Sequence, residues 1–284
     1  MYNPQSQARE NQLRPSDGRP LVMGVVNVTP DSFSDGGRFI GSGAAIVHAR
    51  RLIAQGADVL DVGGESTRPG ADPVSEAEEI TRVVPLIRAI AGESDLPISI
   101  DTLKPAVARA AVGAGALIWN DVSALGAPGA LETAAELGCA VILMHMQGEP
   151  QTMQDDPRYD DVVAEVGDFL AARAAAAIAA GVARDQIWID PGIGFGKTLA
   201  HNLSLLAHLD KIEALGFPVV LGVSRKRFIR AIDPAAEDAS DRLGGSLAGA
   251  LWGASHGAAA LRVHDVDQTV QALKVWAAIS RPST

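Results

Sequence analysis

The chain has 284 residues, 47% hydrophobic and 20% charged, with 34 acidic against 24 basic side chains and a formal charge of −10. That is material for a sizeable core, and it excludes collagen, low-complexity and largely disordered classes for the bulk of the chain. The acidic balance and the 4% aromatic content weigh against nucleic acid as a partner, which needs a basic face or a stacking platform.

In chain order, residues 1–20 come first, a polar stretch reading MYNPQSQARENQLRPSDGRP. They lack the apolar core of a signal peptide and read as a disordered leader to one domain spanning 21–284. No stretch approaches the ~18 consecutive apolar residues of a membrane span, so no membrane partner is expected. From Leu21 onward short apolar runs recur at 21–28, 57–62, 97–101, 117–122, 140–146, 187–190, 218–224 and 258–264. Their continuous rather than alternating hydrophobicity suits strands buried on both faces of a parallel sheet. Ala-rich segments with helical spacing lie between them, at 42–55, 75–92, 161–180, 200–215 and 267–280 among others. Ser75 and Glu78 have capping-box spacing, and Gly56, Gly138, Gly181 and Gly216 each follow a helical run as a C-terminal cap would. Strand starts recur about every 34 residues, the length of a βα unit, and eight such units predict a single (β/α)8 barrel of the α/β class. A doubly wound open sheet is the structural alternative, but its dinucleotide fingerprint is absent from the first strand–helix turn, NVTPDSFSDGG.

The strand ends are polar. The first ends at Asn27, the second carries Asp61 into GGESTRPG, and the third ends at Asp101. The fourth ends at Asn120 and Asp121, the fifth at His145, the sixth at Asp190 and the seventh at Ser224, followed by Arg225 and Lys226. The eighth carries Arg262 and His264. One such residue is ordinary capping; eight strands doing so predict a common mouth that takes a polar, partly anionic small molecule. Asp and Asn side chains suit the edge of a heterocycle, and Lys226, Arg262 and Arg68 suit phosphate or carboxylate oxygens. Asn27 offers an oxygen to a hard cation such as Mg2+. Loops 29–37 and 63–73 are long enough to cover the mouth. The segment PGIGFGKT at 191–198 imitates a phosphate-binding P-loop, yet Pro191 stands where that pattern needs glycine. Its glycines are read as letting backbone approach a ligand beside Asp190. By alternation Met144 and Met146 face away from His145, and one of them lines the pocket. Cys139, the only cysteine, rules out an intrachain disulfide, reads as a core filler and fits a reducing cytoplasm.

The segments MGVVNVTPDSFSDGG (23–37), LDVGGESTRPGA (60–71), ISIDT (98–102), NDVSA (120–124), MHMQGEPQTMQ (144–154), DPGIGFGKT (190–198), GVSRKRFI (222–229) and RVHDV (262–266) resemble the dihydropteroate synthase family of folate biosynthesis. The resemblance covers nearly everything from about 20 to 280 and shows no departure at the core positions. It implies a (β/α)8 barrel that joins a pterin methyl diphosphate to p-aminobenzoate, in a cytoplasmic homodimer. Carried over by motif, Asn27 binds Mg2+ with the diphosphate. Thr67, Asp101, Asn120, Asp190 and Lys226 contact the pterin diphosphate, and Arg262 and His264 hold its phosphates. Phe33, Pro69, Phe195 and Ser224 frame the aminobenzoate, Arg68 and Met144 complete the pocket, and Asp35 assists the metal. Asp101, Lys226 and Asn27 carry the catalysis. Two alternatives share the pterin-holding barrel: a methyltetrahydrofolate–corrinoid methyltransferase, which has no use for a diphosphate grip, and a non-catalytic pterin-binding paralogue, in which Asn27, Asp101, Lys226 or Arg262 would be lost.

Overall fold

The computed structural model describes residues 18–28, 38–66 and 72–280. Eight parallel strands close into a barrel in sequence order. The first half runs β1 (Leu21–Asn27), α1 (Arg38–Ala54), β2 (Val59–Gly63), α2 (Glu76–Ala91), β3 (Ile98–Asp101), α3 (Pro105–Gly113), β4 (Ile118–Asp121) and α4 (Ala130–Leu137). The second half runs β5 (Ala140–Met144), α5 (Val162–Ala180), β6 (Ile187–Asp190), α6 (Leu199–Ala207), α7 (Leu209–Glu213), β7 (Val219–Leu221), α8 (Arg227–Ile232), α9 (Leu243–Ser255), β8 (Ala258–Val263) and α10 (Val266–Ser280). Closure comes from β1 pairing with β8, Leu21 opposite Ala260 and Gly24 opposite Val263.

Local chemistry sets the helix ends. Ser75 caps α2 by accepting from the Glu78 amide at 3.2 Å, and Asp161 caps α5. Gly56, Gly138, Gly181 and Gly216 all take positive φ where a helical segment turns back toward the sheet, which favours glycine there. Two units depart from the simple repeat. The predicted helix over 200–215 is two helices, broken at His208, whose backbone leaves the helical region and whose Nδ1 lies 2.9 Å from the Ser204 carbonyl. The unit after β7 also carries two, α8 and α9. Among the described residues no helix is long and apolar enough to cross a membrane.

Alternation along the strands divides the core in two. One phase points outward. Val22, Leu60, Ile100, Trp119, Val141, Ile189 and Leu261 join helix residues in the large cluster between sheet and helices. The other phase points inward. Leu21, Met23, Val59, Ile118, Ile142, Trp188, Val220 and Ala260 form a separate apolar plug in the lower barrel. Most of the predicted leader lies outside the described residues, but its end is fixed. The Arg19 guanidinium pairs with Asp58 at 2.6 and 2.9 Å, Asp58 also accepts from the Val22 amide at 2.7 Å, and Pro20 is buried.

Candidate active site

One step up the same inward phase, the plug gives way to polar side chains: Asn27, Asp61, Asp101, Asn120, Asp190 and Arg262. Arg262 ties three strands together. Its Nε donates to Asp61 Oδ2 at 2.6 Å and its Nη2 to Asp101 Oδ2 at 2.7 Å. Asn120 Nδ2 lies 3.4 Å from both Asp61 oxygens. Two glycines mark the open space. Gly63 sits between Asn27 and Asp101 in the ladder, and a methyl on it would stand 3.8 Å from Asn27 Oδ1 and 3.7 Å from Asp101 Cβ. A methyl on Gly222 would stand 3.7 Å from Lys226 Nζ, 3.8 Å from Arg262 Cβ and 3.9 Å from Asp190 Oδ2. Six strands thus deliver three acids, two amides and an arginine to one cavity, and Lys226 joins them from the turn after β7.

The charges are held under strain. Burial pushes the Asp101 carboxyl up to about 7; Arg262 opposes that, and Asp61, Glu79 and Asp121 add to it. Burial also raises Asp190, against Lys226 and the Gly192 amide, which donates to it at 2.7 Å. Lys226 is lowered to about 8, chiefly by burial, with Asp190 opposing. For Arg262 burial pulls downward, but Asp61 and Asp101 outweigh it and the pKa rises. Asp101 Oδ1 is buried and meets no donor among the described residues. Such an atom is costly unless an incoming ligand supplies the hydrogen bond.

The loop after β6 forms one wall. Lys197 is buried in it, with Nζ 2.9 Å from His145 Nδ1, 3.0 Å from the Gly192 carbonyl and 2.9 Å from the Phe195 carbonyl. This lysine is enclosed by protein acceptors and is not presented to a nucleotide. A Cβ at Gly192 would overlap the His145 carbonyl, and one at Gly196 the Gln147 carbonyl. Those two glycines therefore let the loop close on the tip of β5. The expectation that they admit a ligand is corrected accordingly. Only Gly194 faces the site, 3.2 Å from Lys226 Cδ for an added Cβ. Lys226 Nζ donates to the Ile193 carbonyl and lies 4.6 Å from the Phe195 ring centre. Ser224 Oγ joins the neighbouring wall, 3.2 Å from the His264 amide and 3.1 Å from its Nδ1.

A second clamp sits beside β3. Lys104 Nζ donates to Glu65 Oε2 at 2.9 Å, to Glu79 Oε2 at 2.7 Å and to the Val74 carbonyl at 2.7 Å. Glu65 Oε1 accepts from the Val74 amide at 2.7 Å, so both stems of the 65–74 segment meet at one ammonium.

The structure therefore gathers Asn27, Asp101, Asn120, Asp190, Lys226 and Arg262, with Met144, Phe195, Ser224 and His264 at the same strand ends. Met144 is level with Asp190 in the ladder. Phe33, Asp35, Thr67, Arg68 and Pro69 lie outside the described residues. Two strand-end polar residues do not reach the mouth. His145 packs edge-on to Phe169 of α5 at 4.9 Å, and Asp121 accepts from the Ser123 and Leu125 amides at 2.7 and 3.0 Å. Both lie one residue out of phase with the inward set. Asp61, to which the strand-end pattern assigns no role, is fully buried in the mouth and holds Arg262. The signal was an acid inside an otherwise apolar strand, VLDVG.

Comparison with known proteins bears on this geometry. Residues 23–264 match the family model described as pterin binding enzyme. The dihydropteroate synthase of Escherichia coli strain K12 is 50% identical over 256 residues, 90% of each chain. The structure of Xanthomonas albilineans dihydropteroate synthase with 4-aminobenzoic acid superposes with a TM-score of 0.89 at 52% identity, covering 94% of this chain and 95% of that one. A structure from the same organism in complex with 7,8-dihydropteroate gives 0.84 at 46% identity, covering 95% and 96%.

Proposed function

The chain belongs to the pterin-binding enzyme family, and from that premise we propose that it acts as a dihydropteroate synthase. It condenses a dihydropterin methyl diphosphate with p-aminobenzoate, giving 7,8-dihydropteroate and diphosphate. The observation that carries this is the Asp61–Arg262–Asp101 bridge beside Lys226 and Asp190. It sets carboxylates for a ring next to cations for a leaving group. A methyl transfer from methyltetrahydrofolate would have no use for Lys226 and His264 at the mouth. A non-catalytic paralogue would have no reason to keep Asn27, Asp101, Lys226 and Arg262 together.

The residues suggest how the reaction runs. Asp101, Asn120 and Asp190 bind the edge of the pterin, with Asp101 Oδ1 available to accept from it. As the C–O bond to the diphosphate breaks, positive charge grows on the pterin methylene, and the Asp101 carboxylate stabilises it in a largely dry site. Lys226, Arg262 and His264 take the charge growing on the departing diphosphate. Thr67 contacts the pterin diphosphate, Arg68 and Met144 complete the pocket, and Phe33, Pro69, Phe195 and Ser224 frame the aminobenzoate. Its aromatic amine is a neutral nucleophile at pH 7, so no strong base is required.

The donor chemistry fits Mg2+. Asn27 offers a single carboxamide oxygen at the rim, and among the described residues no group of three His, Cys, Asp or Glu side chains forms a closed metal cage. Mg2+ keeps most of its waters and leans on substrate phosphates, so one protein oxygen is what such a site needs. Held by Asn27, with Asp35 assisting, it would supply Lewis-acid neutralisation of the diphosphate. We place the enzyme in the cytoplasm as a homodimer. Trp252 and Val275 are exposed on α9 and α10, beside half-buried Leu247, Leu251 and Trp276, and they offer an apolar face for a second copy.

The deciding experiment incubates the purified chain with the pterin diphosphate, labelled p-aminobenzoate and Mg2+. Label should appear in dihydropteroate. Its absence, or methyl transfer from methyltetrahydrofolate instead, overturns the proposal.

A further inference from the structure

Arg225 separates Ser224 from Lys226, and its backbone is left-handed, with φ 60°. A residue bearing a side chain is disfavoured there and persists only where its surroundings hold it. Three partners hold this one. Its N–H donates to Ser246 Oγ on α9 at 2.8 Å, and its carbonyl accepts from Arg242 Nη1 at 2.9 Å. Its guanidinium makes a two-point ion pair with Asp265, Nε to Oδ2 at 2.9 Å and Nη2 to Oδ1 at 2.5 Å. Ser246 is itself fixed, its Oγ donating to the Arg242 carbonyl at 2.7 Å.

The reversal at Arg225 lets its two neighbours diverge while both serve the same mouth. Ser224 turns toward β8 and meets His264. The stem of Lys226 turns the other way, against Gly194 and Phe195 of the β6 loop, and its ammonium arrives beside Asp190. Asp265 directly follows His264, so the same ion pair also joins the β7 turn to the end of β8.

We propose that Asp265 is a positioning residue: by gripping the Arg225 side chain it holds the left-handed turn that aims Ser224 and Lys226 into the mouth. This rests on reading that mouth as the site where diphosphate leaves. Glycine adopts φ near +60° without assistance, so it isolates the backbone role from any role of the guanidinium.

The test compares the full native chain with Asp265→Ala, Arg225→Gly and the double variant, varying both substrates and recording Tm. Asp265→Ala should lower kcat/KM for the pterin diphosphate about tenfold. Arg225→Gly should stay within about threefold of native, and the double variant should return to the Arg225→Gly level, glycine rescuing the lost carboxylate. A double variant no better than Asp265→Ala overturns the inference. So does an Arg225→Gly loss beyond about tenfold, which would mean that the guanidinium touches substrate itself. A fall in Tm with kcat and KM unchanged, the mark of a merely structural pair, also overturns it. If Asp265→Ala does not fold, Asp265→Asn takes its place. Calorimetric affinity for inorganic pyrophosphate with Mg2+ should follow the same order in all four proteins. That readout needs no turnover, so a native chain without synthase activity overturns the functional reading while the calorimetry still decides this one.

Discussion

The two ends of the barrel interior are built from the same strands in the same phase and do opposite things. At the lower end Ile118, Ile142, Trp188 and Val220 fill the interior with apolar side chains. One step along, Asn120, Asp190, Gly222 and their neighbours fill it with charge and open space. The plug contributes folding free energy. The mouth spends some of it, because the buried Asp61 and Asp190 and the partly buried Asp101, Arg262 and Lys226 are held largely out of water for a ligand's benefit. Strands that taper from stable to costly over two residues let each property be altered with little effect on the other.

The sharpest break in that contrast is Arg262→Met. It leaves Asp61 and Asp101 facing each other with no bridging cation. We expect kcat/KM to fall at least about a thousandfold and stability by about 3 kcal/mol, read by steady-state kinetics and urea unfolding. The matching change in the plug is Ile142→Ala. It should cost about 3 kcal/mol in the same unfolding experiment while kcat moves less than about twofold. A comparable loss of turnover there would show the two ends to be coupled.

Asp101→Asn sharpens the contrast further. Turnover should drop about a hundredfold with a smaller change in pterin affinity, as for a group that acts mainly on the transition state. Stability should move the other way. Because the folded pKa of Asp101 is raised to about 7, its contribution is fully present below the unfolded value near 4 and is lost as pH rises through 7. The asparagine variant should lack that decline and match or exceed the native Tm at pH 8. In the native enzyme kcat/KM should be bell-shaped, rising as Asp101 ionises near 7 and falling as Lys226 loses its proton near 8. The variant should lose the acidic limb. The smallest effect is expected for His145→Gln, which faces the helices; activity should stay within about threefold and Tm should fall by a few degrees.

Much of this was legible in the sequence, for identifiable reasons. Eight apolar runs at βα spacing are a strong periodic signal, and the glycines after the helical runs sit where a positive φ is needed. The convergence of Asn27, Asp101, Asp190, Lys226 and Arg262 follows once the barrel closes. What escaped depended on phase and on distant pairing. His145 and Asp121 end strands as plainly as Asn120 does, but a shift of one residue turns a side chain to the other face, and the runs do not announce their register. Asp61 has its partner 201 residues away in Arg262, beyond any local pattern. The break at His208 leaves no proline or glycine to mark it.

The Lys104 clamp has a consequence of its own. One ammonium holds Glu65 and the Val74 carbonyl at a single point and ties both to Glu79 of α2, so the two ends that flank residues 67–71 share one anchor. Substitutions, insertions or a transplanted segment within that span should leave the Asp101 carboxylate undisturbed. Such changes should therefore show in how tightly substrates are held, through Thr67, Arg68 and Pro69, before they show in the charge pattern of the barrel.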